Sequence, residues 1–114
     1  MERKNQANVL VVDYGMGNIR SIQNALTRLG CSVQTSDRAE DILSADAIIL
    51  PGVGAFGEAM ANIRARKIEA PLFEAVKKKG TPLIGICLGM QLLADTSEEG
   101  GGGNKGLSLI PGDV

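Results

Sequence analysis

The chain has 114 residues, the size of one domain, and leaves no room for a second independent core. Twelve Lys and Arg against thirteen Asp and Glu give a net charge of −1, without the positive excess that holds a phosphate backbone or an anionic membrane. Apolar residues at 44% and charged residues at 22% argue against disorder, three aromatics give no stacking platform for single-stranded bases, and the lack of histidine excludes an internal Cys–His or Ser–His pair and any histidine metal site.

Residues 1–8 are polar and read as a flexible N-terminal extension. The apolar run Val9–Val12 meets Asp13 long before it reaches the length of a signal-peptide core. The longest apolar stretch, Pro82–Met90, falls well short of the roughly 20 residues that cross a bilayer. A soluble, cytoplasmic protein is expected, with no membrane and no nucleic acid among its partners. Of the two cysteines, Cys31 and Cys87, neither is expected in a structural disulfide.

Three short aliphatic runs, Val9–Val12, Ala47–Leu50 and Leu83–Ile86, have the uninterrupted character of parallel strands buried on both faces, and they read as central strands. Between the first two, Ile19, Ile22, Leu26 and Leu29 recur at helical spacing and end at Gly30, as a crossover helix with a glycine C-cap would. Ser32–Thr35 alternates like a weaker strand, and Ala39–Leu43 reads as a short helix. After Pro51 comes a glycine loop, then Phe56, Met60 and Ile63 on one helix, then Leu72, Phe73 and Val76 on another that Gly80 stops. The alternation predicts an α/β fold, a doubly wound, mostly parallel sheet with ligands at the carboxyl ends of its strands. Glu98–Gly103 is a glycine-rich loop, and Leu107–Ile110 followed by Pro111-Gly112 looks like a further strand and turn.

Each aliphatic run ends in a glycine-bearing turn: Asp13-Tyr14-Gly15-Met16-Gly17-Asn18, Pro51-Gly52-Val53-Gly54-Ala55-Phe56-Gly57, and Gly85-Ile86-Cys87-Leu88-Gly89. Tight strand-to-helix turns need glycine anyway, but three on one sheet edge suggest an assembled site. The third turn matches the nucleophile elbow, with Cys87 where serine is usual. Glycines two residues before and after let strand and helix approach, and the helix start is expected to place unpaired N–H groups beside the sulfur and to aim that of Leu88 at an oxyanion. The plain alternative is Cys87 as a small buried hydrophobe; Cys31 has no such setting and reads as a packing residue. The second turn also fits the fingerprint Gly52-x-Gly54-x-x-Gly57 of a dinucleotide site, although no acidic residue ends the next strand. That loop can instead donate a second N–H to an oxyanion beside the elbow.

The elbow Gly85-Ile86-Cys87-Leu88-Gly89-Met90-Gln91 resembles the triad-type, class I glutamine amidotransferases, and the first two turns resemble in particular the first half of the glutaminase subunits of imidazole glycerol phosphate synthases. The resemblance runs from about Val9 to Val114, making residues 9–114 the N-terminal part of such a domain. It implies hydrolysis of glutamine to glutamate and ammonia for a cyclase subunit in a heterodimer of histidine biosynthesis, with no cofactor and no metal. It makes Cys87 the catalytic nucleophile, Val53 and Leu88 the oxyanion donors, and Gly52, Gln91 and Glu99 substrate-binding residues, with Asn18 at the cyclase interface. Read from the residues alone, Gln91 is a solvated helix position, Glu99 an exposed loop charge and Asn18 a helix N-cap. The alternatives are a nucleotide-binding α/β domain and a non-catalytic module that binds the cyclase.

The family completes its triad with a His and an acidic residue close together near the C-terminus, and no such pair is present here. The expectation is a truncated subunit, inactive or nearly so by itself, marginally stable, and with exposed apolar surface where a parallel sheet lacks cover.

Overall fold

A computed structural model describes residues 7–15, 17–97 and 104–111. The elements run β1 (Asn8–Val12), α1 (Ile19–Arg28), β2 (Ser32–Ser36), α2 (Ala39–Ser44), β3 (Ala47–Leu50), α3 (Phe56–Ala65) and α4 (Glu69–Phe73), which continues into a π-helical turn at Glu74–Lys78. Then follow β4 (Leu83–Gly85), the short α5 (Leu88–Gln91), and a small antiparallel pair, β5 (Thr96–Ser97) and β6 (Asn104–Lys105). Asn8 belongs to β1 and not to an extension: it pairs with Ser32, and its N–H bonds the Asp46 carboxylate at 2.9 Å.

The main sheet is parallel throughout, in the order β2-β1-β3-β4, so the α/β expectation is met. Successive residues of β1 point to opposite faces, and both faces are covered. Leu10 and Val12 join Ile48 and Leu50 under Ile42, Phe56, Met60, Ile63 and Leu72 from α2, α3 and α4. Val9, Val11 and Ile49 face the other way, where Ile19, Ile22 and Leu26 of α1 pack with Cys31 and Val33. Fully burying one such aliphatic side chain is worth about 1.5–3 kcal/mol, which is why the runs contain no polar residue.

Three further sequence expectations are corrected. β4 is an edge strand of the described sheet and not a central one, and Ile84 is 59% exposed: it lies in the row of Ile49, on the face that α1 packs against. Leu29, the expected fourth member of the α1 stripe, is the C-cap residue and is turned out to solvent at 78% exposure. Leu107–Ile110 forms no strand; Leu107 and Leu109 are buried while the Leu107, Leu109 and Ile110 amides bond the Leu92 and Leu93 carbonyls, so the segment packs as irregular chain. The helices α1 to α4 and the strands β1 to β3 fall where periodicity put them, although Phe73 of the α4 stripe is exposed and the β5–β6 pair has no counterpart among the expected elements; Gly30 (φ +88°) and Gly80 (φ +76°) stand after helices in the left-handed conformation. The Glu98–Gly103 loop lies outside the described residues.

Candidate active site

Strand order brings β1, β3 and β4 side by side, so their three turns meet at the carboxyl edge of the sheet. Gly17 lies so close to Pro51 that a Cβ on it would stand 3.0 Å from the proline Cβ. Tyr14, fully buried, donates its hydroxyl to the Pro51 carbonyl at 2.5 Å. A Cβ on Gly52 would come within 2.6 Å of the Tyr14 Oη, 2.9 Å of the Gly89 nitrogen and 3.1 Å of the Leu88 Cβ. The first glycine of the dinucleotide-like fingerprint is thus used for contact with the elbow.

The elbow itself is strained. Cys87 has φ +56° and ψ −123°, a region that L-residues avoid at a cost of about 1–3 kcal/mol. It is held there from both sides. The Ile86 N–H bonds the Leu50 carbonyl at 3.0 Å, the Gly89 N–H bonds the Ile86 carbonyl at 2.9 Å, and the Met90 N–H bonds the Cys87 carbonyl at 3.0 Å. A Cβ on Gly85 would lie 2.6 Å from the Met90 Cα, and one on Gly89 would overlap the Leu50 carbonyl oxygen, so no larger residue fits at either place. The outcome is a free, solvent-exposed Cys87 thiol, against the reading of Cys87 as a buried hydrophobe. Cys31 is free too, half-buried against the α1 cluster.

Leu88 and Val53 are the residues whose amides the sequence reading assigns to an oxyanion. The Leu88 N–H donates to the Gly52 carbonyl at 3.2 Å, so in this conformation it is engaged and not free. Val53, next in the chain, is exposed. Gln91, half-buried, closes α5 one turn beyond Cys87. Asn18 is exposed and occupies the N-cap position of α1, where its carbonyl accepts the Ile22 N–H at 3.4 Å and its side chain makes no cap hydrogen bond. Glu99 lies outside the described residues. Among the described residues no three His, Cys, Asp or Glu side chains come together as metal ligands, and no helix is long and apolar enough to cross a membrane.

Sequence reasoning missed Tyr14 as a contact residue. It stood out only as part of a glycine turn, although a lone aromatic two residues after a buried strand is itself a signal that its hydroxyl needs an internal partner. Burial pushes this phenol up to about 12, so it stays a neutral donor at ordinary pH. Beside the site, at the end of β2, the Ser36 hydroxyl donates to the Asp41 carboxylate at 2.6 Å and, with Arg38, holds that carboxyl below its usual range.

The family model for glutamine amidotransferase class-I matches residues 10–105. Among similar curated proteins are the imidazole glycerol phosphate synthase subunits HisH of Moorella thermoacetica and Bacillus cytotoxicus, each 52% identical over 106 residues, covering 93% of this chain and 50% of the relative. That of Haloarcula marismortui is 48% identical over 117 residues, covering 96% of this chain and 48% of its own length. The chain therefore spans about half the length of the curated relatives it matches. A solved structure described as a glutamine amidotransferase superposes with a TM-score of 0.72 at 28% identity, covering 87% of this chain and 51% of the other.

Proposed function

Because this chain belongs to the class-I glutamine amidotransferases, we propose that it carries the nucleophile of a glutaminase that feeds ammonia to the cyclase of an imidazole glycerol phosphate synthase in histidine biosynthesis. The single observation that carries this reading is the strained, exposed Cys87 at the strand-to-helix corner. Its sulfur attacks the side-chain amide carbon of glutamine, forming a C–S bond while the carbonyl electron pair moves onto oxygen. Collapse of that oxyanion, with a proton delivered to nitrogen, releases ammonia and leaves a thioester. Water then adds to the thioester carbon, and glutamate departs as the thiol is restored.

The oxyanion needs donors, and the Leu88 and Val53 N–H groups are the nearest candidates. Both become available by one movement. Rotating the Gly52–Val53 peptide takes the Gly52 carbonyl off the Leu88 N–H and swings the Val53 N–H toward the elbow. Gly52 lacks a Cβ to resist the rotation, and exposed Val53 has little packing to lose. Gly52, Gln91 and Glu99 are assigned to glutamine binding, and Asn18, exposed at the start of α1, to the cyclase contact. The proton relay is an imidazole in this chemistry, and none of the 114 residues is histidine, so these residues alone turn over little glutamine.

The test is covalent labelling with a glutamine-analogue electrophile, read by mass spectrometry. One adduct at Cys87, none at Cys31, and protection by free glutamine are the expected results. Equal labelling of both thiols, or labelling that glutamine does not slow, refutes the proposal.

A further inference from the structure

Tyr14 is a fully buried polar side chain that the chemistry above does not use. Its hydroxyl spans 37 positions of sequence to reach the Pro51 carbonyl. The next carbonyl along, that of Gly52, is held by the Leu88 N–H. Two consecutive carbonyls of the second turn are thus gripped by the other two turns: one by the phenol from the first, one by the elbow amide from the third. The grip on Pro51 is the firmer. A buried hydroxyl that lost this acceptor would have no water to replace it, whereas just past the buried Gly52 the chain comes out to solvent at Val53. Gly52 is wedged beneath the Tyr14 oxygen, and Gly54, with φ +100°, allows the chain to turn just beyond.

We propose that Tyr14 is a positioning residue for the oxyanion site: by anchoring the Pro51 carbonyl it fixes where the Gly52 carbonyl meets the Leu88 N–H, and it confines rotation to the Gly52–Val53 peptide. Its catalytic consequence rests on the glutaminase reading; the contact itself rests on geometry alone. Without the phenol hydroxyl, the Pro51–Gly52 peptide is free to drift, and the Gly52 carbonyl loses its register on the elbow amide.

The experiment is amide hydrogen exchange by NMR on Tyr14→Phe, which keeps the ring and removes the hydroxyl. The reference is the Leu92 N–H, which bonds the Leu88 carbonyl at 3.0 Å and has no direct bond to the second turn. Leu88 exchange should accelerate about tenfold relative to Leu92, the size of one net hydrogen bond. Equal acceleration of both amides, which a merely structural loss produces, or no acceleration of either, overturns the proposal. A second arm does not depend on that variant folding. Tyr14 is the only tyrosine in the chain, so biosynthetic 3-fluorotyrosine changes this residue alone and makes its phenol a stronger donor. Leu88 exchange should then slow relative to Leu92, and unchanged or faster exchange counts against the anchor. Failure of the glutaminase reading looks different: the glutamine analogue leaves Cys87 unlabelled while the Leu88 response to Tyr14→Phe persists.

Discussion

Gly89→Ala tests how the elbow is held against the sheet. The added Cβ would overlap the Leu50 carbonyl oxygen and come to 2.8 Å from its carbon and 3.1 Å from the Pro51 carbonyl carbon. All three are backbone atoms, so no side-chain rotation relieves the clash. The Leu50 carbonyl also accepts the Ile86 N–H at 3.0 Å, and the Leu88 N–H beside it bonds the Gly52 carbonyl at 3.2 Å. Backing α5 away from β3 therefore breaks both bonds, at about 1 kcal/mol each. Overpacking adds about 1–3 kcal/mol, for a total of roughly 3–5 kcal/mol. The control is Gly30→Ala, at φ +88° with nothing within 4 Å of the new methyl, which costs only the left-handed backbone penalty of about 1–2 kcal/mol. In urea, with a slope of about 1.5 kcal/mol/M, Gly89→Ala should lower the midpoint by about 2–3 M and Gly30→Ala by about 1 M. If the two variants unfold at the same urea concentration, the close approach of α5 to β3 is not what holds the elbow.

Two further predictions follow from strain and from burial. Cys87→Gly removes a positive-φ penalty of about 1–3 kcal/mol and gives back about 0.5–1 kcal/mol in chain entropy, so it should raise the thermal midpoint by about 5 °C while abolishing the adduct; a lowered midpoint contradicts a strained elbow. Tyr14 titrates near 12 in the folded protein against 10.0 for an ordinary phenol, so folding favours the protonated form: its contribution is fully present below pH 10 and is lost as pH rises through 12. The thermal midpoint of the parent should therefore fall between pH 10 and 12 more steeply than that of Tyr14→Phe, and parallel curves would show that this phenol is not shielded from water.

How much could be read in advance differs from residue to residue. Val9–Val12 and Ala47–Leu50 were legible as strands because burial on both faces demands an unbroken aliphatic run, and β1 delivers it, with Val9 and Val11 under α1 and Leu10 and Val12 on the opposite side. The glycines of the elbow were legible because the need for a missing Cβ is local: Gly85 and Gly89 each face backbone atoms within three ångströms of where a methyl would sit. Leu83–Ile86 carried the same aliphatic signature as the other runs, yet Ile84 is exposed, since composition does not say whether a strand has a neighbour on its far side. Leu107 and Leu109 likewise advertised burial and were buried, but in irregular chain, because alternation records which side chains face inward and not what their amides bond.

From the sequence alone came the α/β class, the order of its elements, the lack of any histidine, and a cysteine flanked for a tight corner; these depend on residue type and short spacing, which no folding step can alter. The tertiary structure alone decided that β1, β3 and β4 are adjacent, that Tyr14 reaches Pro51, and that the Leu88 N–H is spent on the Gly52 carbonyl. The physical reason is range. Periodicity and turn chemistry act over a few residues, whereas a hydrogen bond between turns more than thirty positions apart exists only once strand pairing has brought them to the same edge.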